Sequence, residues 1–164
     1  MDYQRVEKDV RRLLGDTDAV AVTTFIDYYG LPSSFPRMTS RPFGDPGQRV
    51  GHVEAEWENQ IGDKRFHSYL MTHEFEALLF SKPDEIIAAL YGRKGQLDGI
   101  LASFSSPEEI NEGPETAPSK RIESIFRGYR KAVYGPLIAS RIGLQVIREQ
   151  CMHFDEWLGW IESL

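Results

Sequence analysis

The run Asp18-Ala19-Val20-Ala21-Val22-Thr23-Thr24-Phe25-Ile26-Asp27 constrains this fold more than any other stretch of the chain. Its centre is nearly continuous in apolar and β-branched residues. That pattern predicts a strand covered on both faces. Such strands belong to parallel sheets with helices on either side. A second strand is expected over Phe66–Met71, where aromatic and apolar residues alternate with polar ones. The segment His73-Glu74-Phe75-Glu76-Ala77-Leu78-Leu79-Phe80 follows at once. It puts two carboxylates and an imidazole at the mouth of an otherwise apolar helix. In open α/β sheets, ligands bind outside the carboxyl ends of the strands. An acidic cluster there predicts a cation site, since hard cations such as Mg²⁺ take oxygen ligands.

Helices account for the rest. Tyr3–Leu14 is expected to be amphipathic, with Val6, Val10, Leu13 and Leu14 on one face and Gly15 as its stop. A helix from Gly47 to Ile61 turns Val50, Val53, Trp57 and Ile61 inward. Between Leu31 and Pro46 lies a loop rich in proline, glycine and serine, long enough to suggest a functional or partner-ordered segment. From His73 on, only helices are expected. Ser81 with Asp84 resembles a capping box for Glu85–Leu90, and Ser106-Pro107-Glu108-Glu109 is a better one. A helix opens at Ala117-Pro118 and is expected to break near Gly135-Pro136. Two more cover Gly143–Cys151 and Phe154–Leu164, the last with Trp157, Trp160, Ile161 and Leu164 as a core stripe.

At 164 residues the chain is expected to form a single domain with an ordinary core. An apolar content of 41% and a mean hydropathy of -0.40 fit a globular protein without a membrane span. One cysteine, Cys151, can neither close an internal disulfide nor build a thiolate zinc site, which points to the cytoplasm. It is read as a small buried hydrophobe. The net charge of -6 disfavours DNA binding by the whole surface. Between Ser119 and Arg148, however, Lys120, Arg121, Arg127, Arg130, Lys131, Arg141 and Arg148 face Glu123 alone. These cations either meet phosphate or are solvated and paired with the acidic half, and the sequence leaves both readings open.

Three motifs carry chemistry. Asp27 ends the first strand, either as a metal ligand across from Glu74 and Glu76 or as a turn residue bonding its own backbone. Glu74 and Glu76, two apart on a helix, are expected to point to different sides, with one facing the site and the other stabilising the helix start. His73 can share a face with Glu76 and orient a carboxylate or phosphate. The zinc-protease pattern is absent, since Ala77 stands where its second histidine would be. His52-Val53-Glu54 is read as a solvated helix pair. Ser119, Lys120 and Arg121 open a helix whose free amides, with two cations set against the helix dipole, suit a phosphate. The alternative is pairing of Lys120 or Arg121 with a nearby glutamate. No Walker loop, dinucleotide fingerprint or G-x-S-x-G elbow occurs.

Thr23 to Pro32, His73 to Phe80, Pro107-Glu108-Glu109-Ile110-Asn111 and Ala117-Pro118-Ser119-Lys120-Arg121-Ile122 together resemble one bacterial family, the domain of unknown function DUF4276. So do Ile142-Gly143-Leu144, Ile147-Arg148 and Cys151-Met152-His153-Phe154. The family is similar to the Toprim-like superfamily, the fold of primase, topoisomerase and some nuclease catalytic domains. The resemblance implies a small parallel sheet flanked by helices, with an all-helical C-terminal half. It also implies a strand-end glutamate as general acid or base and an aspartate pair holding Mg²⁺ for phosphoryl transfer. Asp27 matches the first aspartate; the second falls at Tyr29, so Glu74 or Glu76 is expected to supply the missing carboxylate. Relatives usually open with a further strand and a V-E-G-x-T-E turn, so the chain reads as N-terminally shortened. A missing strand exposes a sheet edge, inviting a second copy or another chain.

The leading expectation is thus a Mg²⁺-dependent phosphodiester-cleaving domain acting on nucleic acid. The resemblance adds a role in phage defence with a partner ATPase. Asp27, Glu74 and Glu76 bind the metal, and His73, Ser119, Lys120 and Arg121 contact the substrate. The rivals are an inactive module that docks on a partner, and a hydrolase or transferase of a small phosphorylated molecule.

Overall fold

In the computed structural model, residues 2–40, 44–93, 95–110, 113 and 115–164 are described. Residues 41–43 of the expected loop, and Asn111, Glu112 and Pro114, lie outside them. The chain divides into two compact units, residues 1–72 with 160–164, and residues 73–159.

The first unit is α/β. Helix α1 (Tyr3–Leu14) starts at Asp2, whose carboxylate accepts the Gln4 N–H, and ends at Gly15. Helix α2 (Pro46–Ile61) starts at Asp45, whose carboxylate accepts the Gly47 N–H, and ends at Gly62 with φ of 70°. That left-handed cap is cheap for glycine alone. The expected inner face is the real one: Val50, Val53 and Trp57 are fully buried with Ile61 beside them. They join Val10, Leu14, Phe35, Phe66 and Leu70 in one core. Phe35, Trp57 and Phe66 meet edge-on, with centroids about 5 Å apart (5.1 and 5.2 Å). Leu13 departs from the expected stripe and is half exposed.

The two expected strands pair in parallel, as two short ladders. Strand β1 (Val22–Thr23) pairs with β3 (Phe66–His67), and β2 (Ile26–Asp27) with β4 (Leu70–Met71). The gap has a chemical cause. The Thr24 hydroxyl enters the ladder, accepting the Tyr69 N–H at 3.1 Å and donating to the Tyr69 carbonyl at 3.2 Å. A side chain thus replaces one backbone bridge. Burial on both faces does not hold for the first run, where only Val22 is buried and Val20 and Phe25 are exposed. The Phe25 ring nevertheless lies against that of Tyr69, with centroids 5.4 Å apart.

Glu54 and Glu58, one turn apart on α2, hold the far edge of the second strand. Glu58 Oε1 accepts the Ser68 N–H at 2.8 Å, and Glu54 Oε1 accepts that of Leu70 at 2.7 Å. The expectation that Glu54 is solvated is corrected here: it takes an amide that another strand would otherwise take.

The second unit contains only helices and turns among its described residues. These are α3 (Glu76–Leu79), α4 (Pro83–Ala89), α5 (Asp98–Leu101), α6 (Pro118–Ile125), α7 (Lys131–Ile142), α8 (Leu144–Gln150) and the part of α9 (Met152–Glu162) that precedes Trp160. Leu79, Phe80, Ile86, Ile122 and Ile138 form its interior. The Ser81 capping box is not formed; Lys82 precedes α4 and makes no capping hydrogen bond. Ser106 does cap, accepting the Glu108 N–H, but for a single 3-10 turn. The expected break at Gly135-Pro136 is also absent. Helix α7 runs through Pro136, and the chain breaks earlier, between Phe126 and Arg130. Gly135 faces the Phe75 ring so closely that a Cβ there would stand 3.3 Å from it. The expected stripe on α9 is only half buried, with Leu164 exposed, while Phe154 is the residue that α9 buries.

Candidate functional site

The helix after the second strand begins at Glu76, not at His73. Glu74 therefore stands before the helix, in the connection, where the 100° per residue of a helix does not apply. This corrects the expectation that the two glutamates point apart. Both meet the same ammonium group. Lys131 Nζ lies 3.1 Å from Glu74 Oε1 and 3.6 Å from Glu76 Oε2.

Each carboxylate has a second partner. Glu74 Oε2 accepts the Ser119 N–H at 3.2 Å, at the start of α6. Glu76, almost wholly buried, accepts the Tyr129 hydroxyl at 3.2 Å. Burial pushes the Glu74 carboxyl up, but the Ser119 side chain and amide and the Lys131 ammonium outweigh it and hold Glu74 below the usual range. The Tyr129 phenol is driven far above its ordinary value, first by burial and then by Glu76 beside it. Tyr129 therefore keeps its proton and acts as a donor. Lys131 is the first residue of α7, where a cation opposes the helix dipole; the two glutamates offset that cost.

The remaining expected residues fall as follows. His73 is buried at the turn before Glu74. Ser119 is 1% exposed, and its Oγ makes no hydrogen bond of full geometry although it lies near enough to Glu74 to act on it. Lys120 turns to Glu123 at 2.7 Å. Arg121 donates to the Thr116 carbonyl at 2.7 Å and lies over the Phe104 ring at 5.1 Å. Glu74 thus occupies the helix start that the sequence offers to a phosphate. Asp27 belongs to the other unit. It ends β2, is exposed, and makes no capping hydrogen bond to the 3-10 turn Tyr28–Gly30 that follows it.

Lys131 and Tyr129 were not singled out from the sequence. In the sequence Lys131 is one of the cations between Ser119 and Arg148, in what reads as the middle of a helix from Ala117 to Gly135, and its place at the start of α7 emerges only from the break after Ile125. Among the described residues, no three His, Cys, Asp or Glu side chains are grouped to share one metal ion. No helix among them is long and apolar enough to cross a membrane.

No curated protein and no solved structure is significantly similar to this chain. The family model for the domain of unknown function DUF4276 matches residues 1–162, and the chain belongs to that family.

Proposed function

We propose that this DUF4276 chain is a Toprim-related, Mg²⁺-dependent phosphodiester-cleaving domain whose cation site is built on Glu74 and Glu76. One observation carries the reading: the two carboxylates, brought to the end of a strand, face a single cation position that Lys131 fills. The donor set suits Mg²⁺, which is held in many phosphoryl-transfer sites by one or two carboxylates plus waters and substrate oxygens. The buried Ser119 Oγ, short of a full hydrogen bond, adds an oxygen beside Glu74. Bound Mg²⁺ supplies polarisation of a phosphoryl oxygen and an activated water. Glu74 and Glu76 hold the ion, Tyr129 orients Glu76, and His73, Ser119, Lys120 and Arg121 serve substrate phosphate. The Toprim resemblance assigns Asp27 as a further ligand, although among the described residues no three such side chains are grouped to share one ion. Nucleic acid as substrate, an ATPase as partner, a part in phage defence and a cytoplasmic setting belong to the same proposal.

The test is nicking of supercoiled plasmid, and cleavage of single-stranded RNA, with Mg²⁺ or Mn²⁺. The expected result is metal-dependent cleavage abolished by Glu76→Gln and by Asp27→Ala. A well-folded preparation that cleaves neither substrate with either metal overturns the proposal.

A second reading, an inactive module that docks on a partner or a second copy, draws on the first unit. Its parallel ladders have only two strands among the described residues, and Val20 and Phe25 are exposed there. Extended segments add to such edges. A stable complex with no heat on titration with Mn²⁺ favours this reading over the first.

A further inference from the structure

We infer that Lys131 is a resident counter-ion of the Glu74–Glu76 notch, and that a divalent metal enters only by displacing its ammonium group. The inference rests on the proposed cation site and names what regulates it. Three observations support it. The ammonium stands within 3.1 Å of one carboxylate and 3.6 Å of the other, as a shared cation does. The lysine side chain is 49% exposed while the Glu76 side chain is 4% exposed, so the ammonium can leave to water and Glu76 cannot. Glu76 without any cation would be a buried carboxylate with only the Tyr129 hydroxyl to hold it, which is costly. A positive group beside Glu76 offsets that cost, and on this inference a divalent metal replaces the ammonium in that role. Both cannot sit there together, since like charges at contact repel strongly in a partly buried site. Lys131 thus keeps the site closed at low metal concentration and sets the concentration at which it loads.

Two measurements on the full chain test this, and neither reads cleavage. In calorimetric titrations with MnCl₂, Lys131→Met is expected to bind Mn²⁺ at least tenfold more tightly than the unaltered chain. Adding Glu76→Gln to that variant is expected to remove the gain. Equal or weaker binding by Lys131→Met, or a gain that survives Glu76→Gln, overturns the inference. The second measurement needs no variant and so does not depend on how well one folds. Acylation of Lys131 in the native chain, read by mass spectrometry, is expected to rise several-fold on saturation with Mn²⁺. Labelling of Lys131 that Mn²⁺ leaves unchanged overturns the inference. Metal exchange without nicking of nucleic acid would defeat the proposed activity and leave the role of Lys131 standing; nicking without exchange would do the reverse.

Discussion

Glu58 reaches from the fourth turn of α2 to accept the backbone N–H of Ser68 at 2.8 Å, and the same oxygen lies 3.2 Å from the Ser68 hydroxyl. Ser68 is buried, so no water can replace that acceptor. Glu58 Oε1 also lies 2.9 Å from His67 Nδ1. One carboxylate thus takes the edge amide of Ser68 and also meets the Ser68 hydroxyl and the His67 imidazole.

Glu58→Ala is expected to destabilise the chain by about 1–3 kcal/mol, the cost of a buried donor left without an acceptor. Glu58→Gln keeps one acceptor oxygen and is expected to cost less. Urea unfolding of both variants beside the unaltered chain checks this. Equal stability of Glu58→Ala and the parent would mean that the edge amide finds another acceptor.

Glu74 and Glu108 make opposite predictions for pH. The Glu74 carboxyl is held below its usual range, so its contribution is present above the unfolded-state value and is lost as pH falls through the folded one. Glu108 is raised, mainly by burial, although the His153 and Phe154 amides both donate to it. Its contribution is present below the unfolded-state value and is lost as pH rises through the raised one. The stability of the parent relative to Glu74→Gln should therefore grow from acid toward neutral pH. Relative to Glu108→Gln it should shrink over the window just above the ordinary carboxylate value. Denaturant midpoints measured from pH 3.5 to pH 7 would separate the two, and slopes of the same sign would contradict the assignment.

Local patterns made much of the fold legible. The inner face of α2 follows from apolar spacing, and Gly15 and Gly62 end their helices where turn chemistry puts them. Asp27 and Met71 end the paired strands because hydrophobic runs stop there. What stayed hidden depended on contacts distant in sequence. Thr24 looks like any β-branched strand residue until its hydroxyl is seen to bridge to Tyr69. Pro136 reads as a breaker because proline lacks a backbone N–H, yet α7 runs through it. At the site, Glu74 and Glu76 were legible as an acidic pair, but not their geometry. A three-residue delay in the helix start turned two divergent carboxylates into a convergent pair. Lys131 and Tyr129 approach from more than fifty residues away, where a single sequence carries no pairing signal.

Gly92 is a test of close approach in the helical unit. A Cβ built there would lie 2.3 Å from Phe126 Cζ and 2.4 Å from Phe126 Cε1. Either the ring or the backbone must move, so Gly92→Ala is expected to cost about 1–3 kcal/mol. Gly99, with nothing within 4 Å of its would-be Cβ, is the control. It lies in α5, where Gly→Ala is expected to be neutral or stabilising by up to about 1 kcal/mol. Thermal or urea unfolding of the pair checks the contrast, and equal effects would show that Phe126 yields freely.

Cys151 joins α8 to α9 and is fully buried, with its Sγ 3.4 Å from the Ser81 hydroxyl. Burial pushes the thiol up to about 12, although the Ser81 hydroxyl pulls the other way. Reaction needs an exposed thiolate, and the native chain offers neither exposure nor the charge state. A disulfide reagent at pH 8 should therefore label Cys151 only through opening of the helical unit. The native rate is expected to be at least about a thousandfold below that in denaturant, the factor set by an opening free energy of about 4 kcal/mol. Adding sub-denaturing urea should raise the rate in step with that opening equilibrium. Fast labelling of the native chain would instead make Cys151 an accessible thiol and would place the α8–α9 junction at the surface.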